Sequence, residues 1–205
     1  MKNKKILVVL GGTSGEREVS LDSGRACIKA LKKKGYSVST FDPQKKPFNF
    51  INKDKVDVIF NALHGKDGED GVAQSHFEYL RIPYTHSGVI SSYNAMNKVI
   101  SKEIFKKKNI NSPKYFVIEK KNYSKVGLIK LIKKKKINFP IVVKPISEGS
   151  SIGVKICKNI FELIKFTKFL FNKYSELIFE PFIGGQEIQV AVINGTSLGA
   201  IELEP

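Results

Sequence analysis

The chain has no tryptophan, two cysteines, two methionines, and only three arginines (Arg17, Arg25 and Arg81) among its 35 basic residues. Cys27 and Cys157 lie far apart and match neither a zinc spacing nor a disulfide framework, so they read as free thiols in a reducing cytoplasm. No apolar run approaches the roughly 20 residues needed to span a bilayer. The N-terminal "MKNKKILVVLGG" is basic and then apolar, like a leader. Its apolar stretch, Ile6 to Leu10, is shorter than the roughly 7–15 residues of a signal core, and no small-residue cleavage site follows. It reads as a first strand, and the expectation is a cytoplasmic protein with no membrane partner. The scarcity of arginine also bears on the formal charge of +16, which by itself points to nucleic acid. Arginine is the better bidentate reader of phosphate and guanine. The lysine runs at 32–34, 106–108 and 133–136 fall at helix C-termini, where the dipole favours cations, and no aromatic residues interleave as stacking platforms. A solvated basic face is expected, and no nucleic-acid partner.

What is present is globular: 205 residues, 41% hydrophobic and 26% charged, enough for a core in one or two domains. Strand and helix patterns alternate. "KILVVL" is the continuous apolar run of a central parallel strand. A helix follows over 18–34, stopped by Gly35, then strands at "YSVSTF" and "VDVIFNAL", a helix near 71–80, a short strand at Ile82–Thr85, and helices near 88–95 and 97–108. The second half reads as a strand at "KYFVIE", a helix over 123–136, strands at "PIVVK" and "IGVKIC", a helix over 160–172 and a strand at "ELIFEPF". "EIQVAVIN" and "SLGAIELE" form an antiparallel hairpin turning at Asn194-Gly195. The fold class expected is α/β: an open parallel-sheet domain over 1–95, then a mixed α+β domain over 96–180, with a further subdomain beginning at 181–205.

Three loops could carry chemistry. In "GGTSGEREVS" the order strand, glycines, helix is that of an anion cradle, but the spacing is not G-x-G-x-x-G. Glu16 and Glu18 would repel a pyrophosphate there and would suit a cation such as a substrate ammonium. Both also fit as helix N-terminal acids, the better reading for Glu18. In "LHGKDGEDG" a lone histidine, His64, stands at the carboxyl end of a strand, the edge where open α/β sheets bind ligands. Glu16 and His64 could then face one pocket. The bland reading is a tight loop with Asp70 capping the next helix. In "KPISEGSSIGV" Lys144 ends a buried strand, and Gly149, Ser150, Ser151 and Gly153 supply amides and hydroxyls that could hold phosphate oxygens. Lys98 after a helix break could add a second phosphate contact. "FEPFIGGQE" puts Glu180 at a strand end, with free backbone beyond it for an adenine edge and Glu187 for ribose hydroxyls.

In this order, "GGTSGEREVSLDSG", "NALHGKDGEDG", "PYTHSGVISSYNAMNKVISK", "FPIVVKPISEGSSIGV" and "LIFEPFIGGQE" resemble the D-alanine–D-alanine ligases of the ATP-grasp superfamily. The resemblance runs from Lys5 to Pro205, and its first two motifs are specific to this ligase type. It implies ATP-dependent joining of two D-alanines through an acyl phosphate, for peptidoglycan precursor synthesis. By the same resemblance Glu16 takes the first D-alanine's ammonium and His64 lines that subsite. Lys98, Lys144, Glu148, Ser150 and Ser151 attend the ATP phosphates. Glu180, Pro181, Phe182 and Ile183 form the adenine hinge, through a carbonyl at 181 and an N–H at 183, and Glu187 binds the ribose. Ser150 is implied to bond toward Glu16 through a tyrosine. A homodimer is implied through the first half.

Two residues depart from the family pattern: Asn97, where aspartate is common, and His86, where glycine is common. Family members also continue for about another hundred residues, a stretch that supplies the Mg2+ or Mn2+ ligands, an arginine and the tyrosine. Glu202 and Glu204 do not match the metal positions and read as structural. The 205 residues are therefore expected to be a fragment, inactive alone. Alternatives are a non-catalytic remnant that binds nucleotide or D-alanine, and a ligase taking D-lactate or D-serine second.

Overall fold

A computed structural model describes residues 4–203. Its first half is a three-stranded parallel sheet in the order β2-β1-β3, where β1 is Lys5–Val9, β2 is Ser37–Phe41 and β3 is Val58–Asn61. β1 pairs with both neighbours, which is why its apolar run is unbroken: Val8 and Val9 are wholly buried. Helix α1, Arg17–Lys33, packs Leu21, Ile28 and Leu31 on one face of this sheet. On the other face lies a cluster of Phe48, Ile59 and Phe77, the last from α2, Val72–Leu80. Residues 82–85, expected as a strand, make only one parallel bridge, Ile59 to Tyr84. Ile59 donates to the Pro83 carbonyl and accepts from Thr85. Pro83 has no N–H with which to extend the ladder.

Helices α3, Val89–Met96, and α4, Lys98–Lys107, lead into the second half. They break at Asn97, whose side-chain oxygen accepts from the Val99 and Ile100 N–H groups and caps α4, a task asparagine performs as well as aspartate. A four-stranded antiparallel sheet follows in the order β4-β7-β5-β6, from Phe116–Glu119 (β4), Ile141–Pro145 (β5), Lys155–Cys157 (β6) and Glu176–Pro181 (β7). Helices α5, Lys125–Lys135, and α6, Ile160–Leu170, cover it with Leu128 and Leu163, both wholly buried. Phe116 and Phe179 stack across β4 and β7 at 4.9 Å. All three lysine runs occupy the last turns or C-caps of α1, α4 and α5. Both cysteines are free, and burial pushes the Cys157 thiol up to about 11.

The hairpin of β8, Glu187–Ile193, and β9, Thr196–Leu203, turns through Asn194 and Gly195, both at positive φ. It stands apart from both sheets, with its apolar side chains exposed. No helix among the described residues is long and apolar enough to cross a membrane.

Candidate functional site

Glu16 occupies the N-cap position of α1, but its side chain caps nothing. It is 6% exposed, and its carboxylate turns away from the helix to accept from Ser150 Oγ of the other half. The loop that carries it is tied down from three sides. Gly11 N–H donates to Ser20 Oγ at 2.8 Å, and Ser20 Oγ donates to the Ala62 carbonyl at 2.6 Å. Gly12 N–H donates to Asp42 at 3.1 Å, while Arg17 clamps the Gly12 carbonyl at 2.7 Å and Asp42 at 2.8 Å. Burial alone would push the Asp42 carboxyl up. Arg17 and the Gly12 and Gln44 amides outweigh it and hold Asp42 below 3.8.

Ser14 joins this loop to the histidine loop. Its hydroxyl donates to the His64 carbonyl at 2.7 Å and accepts from the Glu16 N–H at 3.1 Å. The His64 ring lies between Ser23 Oγ at 3.0 Å and Glu69 Oε1 at 3.3 Å, and Glu69 Oε2 accepts from the Gly65 N–H at 2.8 Å. Glu16 and His64 thus share one neighbourhood at the carboxyl ends of β1 and β3, with no hydrogen bond or ion pair between their side chains among the described residues. Asp70 accepts from Val72 N–H at the start of α2, although Gly71 is the cap residue. Glu18 lies exposed in the first turn of α1, as the helix reading has it.

The serine-glycine loop follows β5. Ser150 and Ser151 both adopt positive φ, as does Gly153, and Ile152 N–H closes a turn on the Gly149 carbonyl at 2.9 Å. Two consecutive non-glycine residues in that region carry backbone strain. Ser150 reaches Glu16 directly, whereas the resemblance implied an intervening tyrosine; no tyrosine stands between them among the described residues. Behind the loop, Lys98 Nζ donates to the Glu148 carbonyl at 2.5 Å and the Ile146 carbonyl at 3.4 Å. Burial, and next the repulsion of Lys144, lower the Lys98 ammonium below its ordinary value. The Glu148 carboxylate points elsewhere, 3.7 Å from Lys173. Lys98, Glu148 and Gly149 line a cleft of about 400 Å³ with Asn61, Glu69 and His86 of the first half. His86 takes φ +80°, a geometry glycine adopts freely, and its ring contacts the Asn61 carbonyl at 2.8 Å.

Lys144 is paired with Glu180 Oε1. A third residue, missed in the sequence, completes this cluster: Lys102 Nζ lies 3.0 Å from Glu180 Oε2. Burial pushes the Glu180 carboxyl up, and the two lysines more than offset it, so its net shift is downward. Beyond Glu180 the Phe182 N–H is spent on the Pro140 carbonyl at 2.8 Å, while the Ile183 N–H has no backbone partner among the described residues. Phe182 and Ile183 are exposed, and Pro181 is half-buried. Glu187 stands exposed at the start of β8, in no ion pair or side-chain hydrogen bond among the described residues, and the structure does not join it to the cluster. Glu202 is exposed on β9, and Glu204 lies outside the described residues. No group of three or more His, Cys, Asp or Glu is placed to hold a metal ion among the described residues.

The arrangement offers a buried carboxylate facing the serine-glycine loop, with Lys98 and Lys144 at the root of that loop. It can pair a cationic group at one end with a polyanion at the other. Arg17, Asp42, Ser14 and Ser20 also escaped the sequence reading. Asp42-Pro43 at the end of β2, on the same sheet edge, was the available signal for Asp42.

Comparison with known proteins agrees with these features. The family model for the D-ala D-ala ligase N-terminus matches residues 42–87, and that for the D-ala D-ala ligase C-terminus matches 104–204. A D-alanine–D-alanine ligase of Pelagibacter ubique is 52% identical over 204 residues, covering 98% of this chain and 65% of that protein. The crystal structure of D-alanine–D-alanine ligase from Bacillus anthracis superposes with a TM-score of 0.85 at 38% identity, over 97% of this chain and 64% of that one. The same enzyme complexed with ATP gives 0.85 at 34% identity, over 98% and 66%. The chain thus spans about two-thirds of the length of each of these relatives.

Proposed function

The chain belongs to the D-alanine–D-alanine ligase family, and on that premise we propose that it forms the D-alanine and nucleotide walls of an ATP-dependent ligase acting in the cytoplasm on peptidoglycan precursors. One observation carries the reading. Ser150, on the loop rooted by Lys98 and Lys144, bonds to Glu16 of the other half, so the carboxylate of one half and the lysine-rooted loop of the other are in direct contact. In this reading residues 1–95 carry the amino-acid wall, 96–180 the phosphate wall, and 181–205 open the next subdomain. Glu16 holds the ammonium of the first D-alanine, with His64 beside it. Lys98, Lys144 and the amides and hydroxyls of 148–151 take the phosphates, the hinge at 180–183 takes the adenine through the 181 carbonyl and the Ile183 N–H, and Glu187 takes the ribose. The chain forms a homodimer through its first half.

The chemistry follows from what a carboxylate cannot do unaided in water. The carboxylate of one D-alanine attacks the γ-phosphorus of ATP, and ADP leaves. The amine of a second D-alanine attacks the resulting acyl phosphate, inorganic phosphate departs, and the amine's proton is released. The lysines neutralise the phosphates, and closure of the serine-glycine loop keeps water from the acyl phosphate. Magnesium or manganese, which the family implies, has no donor set among the described residues, so no step is derived through it.

The test is D-alanine-dependent release of phosphate from ATP by a polypeptide of the relatives' full length. Glu16→Gln and Lys144→Ala should each lower turnover by about a hundredfold or more. Unchanged rates in both variants would refute the assignment.

A further inference from the structure

Lys102 has no part in the reading above, yet its ammonium is the more firmly held of the two that pair with Glu180. Its side chain is 10% exposed. Its ammonium lies 3.0 Å from Glu180 Oε2 as an ion pair, and it donates to Ser112 Oγ at 2.9 Å and to the Pro113 carbonyl at 3.1 Å. Lys144 differs. It is 20% exposed, and the Glu180 carboxylate is its one hydrogen-bond partner among the described residues, which leaves two donors unspent.

We propose that Lys102 is the permanent counter-charge of Glu180, and that its presence lets Lys144 leave Glu180 for a phosphate of the bound nucleotide. The inference rests on the nucleotide reading above. The Glu180 side chain is 9% exposed and has one lysine on each oxygen. An arriving anion competes for the lysine with more donors unspent, which is Lys144. If Lys144 were the only partner, its departure would strand a buried carboxylate, and an uncompensated buried charge is strongly unfavourable. With Lys102 held beside Oε2 by its hydrogen bonds to Ser112 and Pro113, the carboxylate keeps a counter-charge throughout the exchange. Glu180 also opposes the repulsion by which Lys144 lowers the Lys98 ammonium. Lys102 touches neither substrate nor reacting atoms in this scheme. It is a positioning residue acting through Glu180.

The experiment is equilibrium binding of a fluorescent N-methylanthraniloyl-ATP to the full chain and its variants, with circular dichroism to follow folding. Lys102→Met should weaken binding by about tenfold to a hundredfold, the range in which losing one partner of a buried pair falls. Lys102→Arg should stay within about threefold of the parent, because it keeps the charge on Oε2. The deciding variant is Lys102→Met/Glu180→Gln. With no carboxylate to strand, it should bind within about threefold of Glu180→Gln alone. A merely structural Lys102, tying α4 to residues 112–113, predicts no such recovery. Parent-like binding by Lys102→Met, or a double variant more than about tenfold weaker than Glu180→Gln, overturns the proposal. Should Lys102→Met fail to fold, the comparison of the double variant with Glu180→Gln still decides. Absence of binding by the parent chain itself sinks the nucleotide reading, and with it this one, and is distinguishable from either result.

Discussion

Replacing Gly65 by alanine does two separable things. Gly65 has φ +67°, where an L side chain is strained, and a Cβ built there falls on Glu16 Oε2, inside van der Waals contact. Gly35 supplies the control: it has φ +85° with nothing within 4 Å of a built Cβ. Left-handed strain costs about 1–2 kcal/mol, offset by the roughly 0.4–1 kcal/mol gained from restricting the unfolded chain. Gly35→Ala should therefore destabilise by about 1 kcal/mol, or roughly 2–4 °C in Tm for a chain of this size. Gly65→Ala meets the same strain and also displaces the tip of a flexible side chain. The backbone need not move, but the buried Glu16 carboxylate must, and its hydrogen bond with Ser150 goes with it. A hydrogen bond to a charged group contributes about 1.5–3 kcal/mol, so the fall in Tm should be at least twice that of Gly35→Ala. The functional split should be sharper. D-alanine affinity, read by titration calorimetry, should drop about tenfold or more in Gly65→Ala, because the ammonium loses its partner, and should hold in Gly35→Ala. Equal losses of Tm and intact D-alanine affinity in both variants would show that Gly65 does not set the position of Glu16, and the geometry assigned to that subsite would fall.

Asp42 has a folded-state value below its unfolded one, so its stabilising effect is present above about pH 3.8 and fades as pH drops through the lowered value. Asp42→Asn should be less stable than the parent at pH 7, with the gap closing in urea titrations as pH falls below 3.8; a pH-independent gap contradicts the pair with Arg17. Lys98 is lowered below 10.5 by burial and by Lys144, and a bound phosphate favours its charged form. ATP binding should therefore take up protons as pH approaches 10.5, seen as a buffer-dependent enthalpy; none at all would mean no phosphate reaches Lys98. In the β8–β9 hairpin Ile188, Val190 and Val192 are 51%, 53% and 60% exposed. Its amides should exchange with less than about tenfold protection in this chain, while Val143 and Phe179 exchange only on global opening; hairpin protection equal to that of β5 would refute this.

The fold was legible where one physical signal dominated. β1 and β5 announced themselves as unbroken apolar runs because both faces are covered, and α1, α4 and α5 ended where lysines gather on the helix dipole. Residues 82–85 misled because "IPYT" has strand composition, while the ladder depends on donors that Pro83 lacks. The hairpin was legible from Asn194-Gly195 alone, since turn chemistry is local. Its separation from both sheets was not, because alternation says that two faces differ but not what covers either.

The site divides along the same line. Glu16 could be picked out because it is chemically wrong for an anion loop, and Lys144 because a charged residue ending a buried strand must emerge somewhere. Lys102 offered no such contrast. It sits in "KVISKEIFKK", a helix whose every polar turn carries a lysine, and nothing in that spacing separates its buried ammonium from the solvated ones of Lys106 and Lys107. What distinguishes it is three-dimensional: acceptors from Ser112, Pro113 and Glu180 converge on one nitrogen. In a chain with 35 basic residues, charge alone cannot mark a functional lysine, and only the count of satisfied donors does. The same criterion separates its neighbours: Lys102 is held by two hydrogen bonds and an ion pair, whereas Lys144 has one hydrogen bond, to Glu180, among the described residues. A lysine with its donors spent holds structure in place, and one with donors to spare is the group that a phosphate can recruit.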